Sequence, residues 1–79
     1  MEMNKYETTD FYLATTLSAL HFNLLTIDKT NSNRSAFVLN SSEKLRETVT
    51  KYYAGRLRVD PRHILFQAKI VKDRLRGES

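Results

Sequence analysis

The sequence predicts a small α+β domain with the element order α-β-β-α-α, in which an antiparallel β-hairpin packs on helices. Three observations support this fold class. Apolar residues recur at helical spacing in three segments, and two short alternating runs flank a polar turn. A chain of 79 residues has room for one hydrophobic core only.

The first helix follows a segment without hydrophobic periodicity. Residues 1–8 are therefore expected to form a flexible N-terminal arm. Thr9 or Asp10 can cap a helix that runs to about Phe22. Its apolar stripe consists of Leu13, Leu17 and Leu20, and Phe11 and Phe22 lie on a second face. We expect this helix to be covered on two sides.

A hairpin is predicted next, because the runs 24–29 and 35–39 flank a turn-forming cluster at residues 30–34. Alternation places Leu25 and Ile27 on one face of the first strand. Phe37 and Leu39 share one face of the second strand. The hairpin should therefore be half-buried against the helices.

The second helix begins at Asn40-Ser41-Ser42-Glu43, which supplies a capping residue, and ends at Gly55. Its buried stripe is Leu45, Val49, Tyr52 and part of Tyr53. Residues 56–59 read as extended, with Leu57 and Val59 on one side. This pattern would also fit a short third strand at the edge of the sheet.

The third helix has the clearest start signal in the chain, since Asp60 is a favoured N-cap and Pro61 a favoured first residue. The helix is expected to reach about Leu75 and to end by Gly77. Its core stripe is Ile64, Ala68, Val71 and Leu75. The compact domain then spans residues 9–76, and residues 77–79 form a disordered tail.

Charge is distributed unequally along the chain. Of 13 basic and 9 acidic residues, ten basic and five acidic lie after residue 40. On the third helix, Arg62, Lys69 and Arg76 recur every seven residues with Lys72 beside them. Together with Arg56 and Arg58, this basic face can follow a phosphate backbone without reading bases. A solvated helix face without a partner would have the same pattern.

Apolar side chains off the core stripe indicate a second kind of contact. Phe66 and Ile70 lie one turn apart on the third helix. They can pack within the chain or form an interface with another protein or a second copy. Tyr52, Tyr53, Tyr6 and Tyr12 suggest a stacking surface for single-stranded nucleic acid, and Tyr53 is the favoured candidate because Tyr52 has core spacing.

Catalysis and ligand chemistry find little support in the sequence. Two glycines exclude a phosphate-binding glycine loop, and the carboxylates are scattered singly. His21 and His63 lie far apart and no cysteine is present, so neither a metal nor another cofactor is expected. No segment reads as a membrane span, which favours a cytoplasmic protein. So small a core favours a homodimer.

A family resemblance rests on Asp10-Phe11-Tyr12-Leu13-Ala14 and on Leu57-Arg58-Val59-Asp60-Pro61 before the last helix. These motifs resemble an uncharacterised family of small domains of unknown function in phages, plasmids and archaea. The resemblance covers roughly residues 9 to 75 and implies a mobile-element context, but no site residues. Family members often carry a glycine near the end of the first helix, where this chain has His21-Phe22-Asn23.

A weaker likeness concerns the ribbon-helix-helix repressors. From Ser35 onwards the order strand, capped helix, connection and helix is similar to theirs. In those repressors the strand pairs with its copy in a dimer and enters the major groove. Here Ala36 and Val38 offer no polar side chain for base contacts.

These observations predict a small accessory or regulatory protein of a mobile element that binds DNA or RNA and is not an enzyme. Its phosphate contacts are expected from Arg56, Arg58, Arg62, Lys69, Lys72 and Arg76. The alternative is a protein–protein interaction module without a role in nucleic-acid binding, whose interface would include Phe66, Ile70 and Tyr53.

Overall fold

A computed structural model describes residues 4–30 and 34–77 of the chain. It contains three helices and a three-stranded antiparallel sheet, which confirms the α+β class. The elements in chain order are β1 (Lys5–Thr8), α1 (Phe11–Ala19), β2 (Leu24–Asp28), β3 (Ala36–Asn40), α2 (Glu43–Tyr53) and α3 (Pro61–Gly77).

The first strand corrects the expectation of a flexible arm over residues 1–8. Lys5–Thr8 form β1, which pairs antiparallel with β3, so that Tyr6 lies opposite Leu39. The backbone of Ser41 also donates a hydrogen bond to the Asn4 carbonyl. This strand has little local signal, because only Tyr6 is apolar and the ladder that stabilises it comes from a strand some 30 residues later. Residues 1–3 lie outside the described residues.

The hairpin of β2 and β3 is confirmed, and β3 is the central strand of the order β1-β3-β2. A bulge between Leu24 and Thr26 shifts the register of β2. Because a bulge inserts one extra residue, the buried residues of β2 are Leu24 and Ile27. The prediction that Leu25 shares the buried face with Ile27 is therefore wrong. The centre of the predicted turn, residues 31–33, lies outside the described residues.

The helix α1 is the centre of the core. It packs against α3, α2 and β1, and its side chains from Leu13 to Leu17 are all buried. Asp10 caps the helix by accepting hydrogen bonds from the backbone N–H groups of Tyr12 and Leu13. The predicted two-sided cover of this helix is therefore confirmed. The core around it includes Leu24, Ile27, Phe37, Leu39, Leu45 and Val71.

The helices α1 and α2 end in the same backbone motif. In α2, Gly55 has φ of 73°, and the N–H of Arg56 donates to the Lys51 carbonyl. In α1, His21 has φ of 74°, and the N–H of Phe22 donates to the Leu17 carbonyl. This is the Schellman arrangement, in which a left-handed residue follows the helix. Consequently α1 ends at Ala19 and does not continue to Phe22.

Replacing His21 by glycine should stabilise the protein by roughly 1 kcal/mol, because glycine adopts the left-handed conformation without the steric cost of a Cβ. Urea denaturation followed by circular dichroism measures the change in the free energy of unfolding. His21→Ala is the matched control, since alanine keeps the Cβ and should give no such gain. A glycine variant no more stable than the alanine variant would contradict the prediction.

Residues 56–59 do not form the third strand that the sequence allowed. They are not part of the sheet, and β1 occupies the other edge of β3. Leu57 and Val59 are half-buried and Arg56 and Arg58 are exposed, so the predicted sidedness is confirmed. The helix α3 starts at Pro61 as expected and includes Gly77. The rest of the predicted disordered tail, residues 78 and 79, lies outside the described residues.

Candidate nucleic-acid interface

One side of α3 packs on the core and the other side carries the predicted basic residues. Of the predicted core stripe, Val71 is buried and Ile64, Ala68 and Leu75 are partly buried against α1 and its neighbours. All four predicted basic positions lie outside this stripe and are exposed. We call these residues the basic ridge: Arg62, Lys69, Lys72 and Arg76.

Two residues of the basic ridge have acidic neighbours. The Arg62 guanidinium lies 3.2 Å from the Asp60 carboxylate, and the backbone N–H of Arg62 also donates to that carboxylate. These hydrogen bonds hold the pKa of the Asp60 carboxyl below its usual range. Arg76 lies 3.7 Å from Asp73. Within residues 4–30 and 34–77, Lys69 has no ion pair, so its charge is available to an external anion.

The exposed arginines of the connection before α3 add to the positive surface. Arg56 and Arg58 are exposed, whereas Leu57 and Val59 line a small cavity of about 240 Å³ together with Tyr52. The apolar side chains of this segment therefore anchor it to the core. The alternation of apolar and basic residues in this segment was sufficient to predict that the two arginines are exposed to solvent.

The apolar pair predicted on α3 lies on a flank of the helix. Phe66 is 64% exposed and Ile70 is 37% exposed. Intramolecular cover, which the sequence allowed, is therefore absent for Phe66 among the described residues. Ile70 borders a cavity of about 300 Å³ shared with His21, Gln67 and Arg74.

A larger groove lies on the other flank of α3, between α3, α1 and the start of β3. Its volume is about 840 Å³ and its lining is mainly apolar. We call it the aromatic groove. The side chains that give it its character are Phe11, Tyr12, Phe37, Tyr52, Ile64, Leu65, Arg34 and Lys72.

Exposure and ring contacts distinguish the floor of the aromatic groove from its rim. Phe37 is buried and lies edge-on to Phe11, with ring centroids 6.2 Å apart. Tyr12 of α1 is 73% exposed and Leu65 of α3 is 71% exposed. The two helices that border the groove therefore each present a large apolar side chain to solvent.

Lys72 connects the aromatic groove to the basic ridge. Its Nζ lies 5.8 Å from the centroid of the Phe11 ring, within the range of a cation–π contact. The same residue is exposed and belongs to the ridge. An anion bound to the ridge can therefore lie directly beside the groove.

The tyrosine favoured by the sequence lies outside the aromatic groove. The Tyr53 hydroxyl donates a hydrogen bond of 3.1 Å to the Asp10 carboxylate, and its ring contacts Tyr52 edge-on. Tyr52 itself lines the groove, so the assignment of Tyr52 to the core is only partly correct. Partial burial and the nearby Asp10 carboxylate raise the pKa of Tyr52.

A family model described as "Domain of unknown function (DUF5659)" matches residues 3–77. The chain belongs to this family. The match spans nearly the whole sequence and confirms the resemblance to an uncharacterised domain family. No curated protein and no solved structure matches the chain.

For this family member, the likeness to ribbon-helix-helix repressors is not supported by the topology. In those repressors a strand pairs with the same strand of a second chain. Here β3, the strand in the corresponding position, already has β1 on one side and β2 on the other. Its edges therefore cannot accept a second copy.

Residues 4–30 and 34–77 contain neither of two further features, a metal cluster or a membrane-spanning helix. No cluster of three or more His, Cys, Asp or Glu side chains with metal-binding geometry occurs there. None of the helices in that part of the chain combines the length and apolar character needed to cross a bilayer.

Tyr12 was among the tyrosines that suggested a stacking surface, but sequence reasoning missed two other contributors to the site. Leu65 lies on α3, and Arg34 precedes β3. Each is unremarkable in its own segment, because a single exposed apolar or basic residue is common on protein surfaces. The only available signal was that Leu65 lies outside the core stripe of α3.

Proposed function

We propose that the protein binds nucleic acid through its phosphates, as an accessory or regulatory protein. The observation that carries the proposal is the outward-facing basic ridge on α3, in which Lys69 has no acidic partner among the described residues. The positions from Arg62 to Arg76 extend over about 21 Å, given a helical rise of about 1.5 Å per residue. That length corresponds to roughly six phosphates of one strand.

The positive charges of this surface support a primary interaction with phosphates that does not read the bases. The ridge and the exposed Arg56 and Arg58 present cations to solvent. Cations that neutralise phosphates release counterions, so affinity should fall steeply with salt. The mobile-element context implied by the motif resemblance is part of this proposal.

Reversing Arg62, Lys69 and Arg76 to glutamate should weaken binding to DNA at least tenfold at low salt and reduce the salt dependence. Each lost phosphate contact makes the negative slope of log affinity against log salt less steep, by about 0.9 for duplex and about 0.7 for single-stranded DNA. Fluorescence anisotropy with labelled single-stranded and duplex DNA over a salt series measures both quantities.

The matched control reverses Lys44, Arg46 and Lys51 on α2, which are also exposed and change the net charge equally. This control should retain most of the affinity and of the salt dependence. Equal loss in both variants would mean that only net charge matters. Undetectable DNA binding by the wild-type protein at low salt would refute the proposed function.

The second candidate function is that of a protein–protein interaction module. The exposure of Phe66 and Ile70 favours it, since both are apolar and lie together on one flank of α3. A second copy of the chain is the first occupant to consider, because self-association adds apolar burial to a small core. Under this alternative, association would be insensitive to the charges of the basic ridge.

A further inference from the structure

The aromatic groove has the size and chemistry of a site for flat, apolar rings. Its volume of about 840 Å³ falls within the usual range of ligand sites, roughly 300–1,000 Å³. Four aromatic side chains line it: Phe11, Tyr12, Phe37 and Tyr52. Tyr12 on α1 and Leu65 on α3 remain largely exposed. A ring that enters between the two helices can contact both.

The charges around the aromatic groove specify an anionic occupant. Arg34 and Lys72 lie in its lining, and no carboxylate of residues 4–30 and 34–77 does. Lys72 also belongs to the basic ridge, which continues along α3 through Lys69 and Arg76. The occupant should therefore combine flat rings with a series of negative charges along an extended chain.

We propose that the aromatic groove receives unpaired bases of single-stranded nucleic acid whose phosphates lie along the basic ridge. This inference rests on the proposed function and adds that the preferred substrate is single-stranded. Bases in a duplex are paired and stacked, so they cannot enter the groove without being extruded. Stacking on aromatic side chains is tolerant of sequence, because every base has a π face.

The test compares two labelled oligonucleotides of equal length, oligo(dT) and an abasic strand with the same phosphates. We expect wild-type protein to bind oligo(dT) about tenfold more tightly, which is the usual scale of one stacked base. Tyr12→Ser should remove most of that preference and leave the affinity for the abasic strand unchanged. Tyr12→Phe should restore it, because the ring is retained. Oligo(U) in parallel distinguishes RNA from DNA, and a base preference with either sugar supports the inference.

Phe66→Ser is the matched control, because Phe66 is an aromatic residue of similar exposure outside the aromatic groove. It should leave the ratio of the two affinities unchanged. Since Tyr12 and Phe66 are mostly exposed, both variants should fold, and circular dichroism checks this. The ratio is also insensitive to any change in self-association that affects both oligonucleotides equally.

The outcomes separate this inference from the proposed function. Equal affinity of the wild-type protein for oligo(dT) and the abasic strand would overturn the inference and leave phosphate binding intact. Binding to neither strand at low salt would overturn both. If oligo(dT) gained nothing over the abasic strand but an acidic amphipathic peptide bound in a Tyr12-dependent manner, the groove would be a protein site and the inference would be wrong.

Discussion

Replacing Leu17 by alanine should destabilise the protein by about 2–5 kcal/mol. Leu17 is fully buried in α1, the helix that contacts β1, α2 and α3. Truncation there removes apolar burial and leaves a cavity between several elements. A domain of this size without disulfides rarely exceeds about 3–5 kcal/mol of stability. Leu17→Ala should therefore remove a large part of the stability of the fold, and far-ultraviolet circular dichroism with urea titration measures the loss.

The matched control is Leu65→Ala, which makes the same chemical change at a leucine that is 71% exposed. It should alter the free energy of unfolding only within about 0.5 kcal/mol, as is usual for surface substitutions. If Leu17→Ala cost no more than Leu65→Ala, the placement of α1 at the centre of the core would be wrong.

Replacing Arg74 by methionine should destabilise the protein by about 1.5–3 kcal/mol, the usual scale of hydrogen bonds to a charged group. The Arg74 guanidinium donates to the carbonyls of Leu24 and Leu25 at 2.8 and 3.3 Å. These carbonyls belong to the bulged part of β2, where the ladder to β3 is irregular. Methionine keeps a long apolar side chain but offers no donor. Urea denaturation measures the loss.

Arg76→Met is the control for Arg74→Met, because Arg76 lies on the same helix and is exposed. Its contact with Asp73, at 3.7 Å, is of the surface type that contributes little to stability. The control should therefore unfold at nearly the wild-type urea concentration. Equal effects of the two substitutions would show that Arg74 does not tie α3 to β2.

Different parts of the surface of α3 carry different kinds of side chain. The outer side carries cations, one flank borders the groove at Leu65 and Lys72, and the other carries Phe66 and Ile70. Only Val71 of this helix is fully buried. A helix of 17 residues that contributes so little to the core has most of its surface available for binding.

Local signals were sufficient where the stabilising group lies within a few residues of the position it affects. Asp10 caps α1 through the N–H groups of Tyr12 and Leu13, and Ser42 caps α2 through that of Leu45. The heptad spacing of the basic ridge likewise follows from helical geometry alone. These elements, and the exposure of the ridge, could be predicted from the sequence.

Positions that depend on distant partners could not be predicted in the same way. The strand β1 forms because β3 offers a free edge. The bulge in β2 places Leu24 in the core instead of Leu25. His21 resembles any helical residue in sequence, yet it adopts the left-handed conformation that ends α1. Local propensity is weak compared with the burial and hydrogen bonds that tertiary packing supplies.

The sequence by itself determined the α+β class, the hairpin, the starts of the helices and the basic ridge, because each follows from local periodicity and capping. Only the tertiary structure decided the third strand and the aromatic groove. The groove joins Tyr12, Phe37 and Leu65 from three elements far apart in the chain. Its physical basis is the packing of α3 across α1, which brings together side chains whose spacing along the sequence carries no common period.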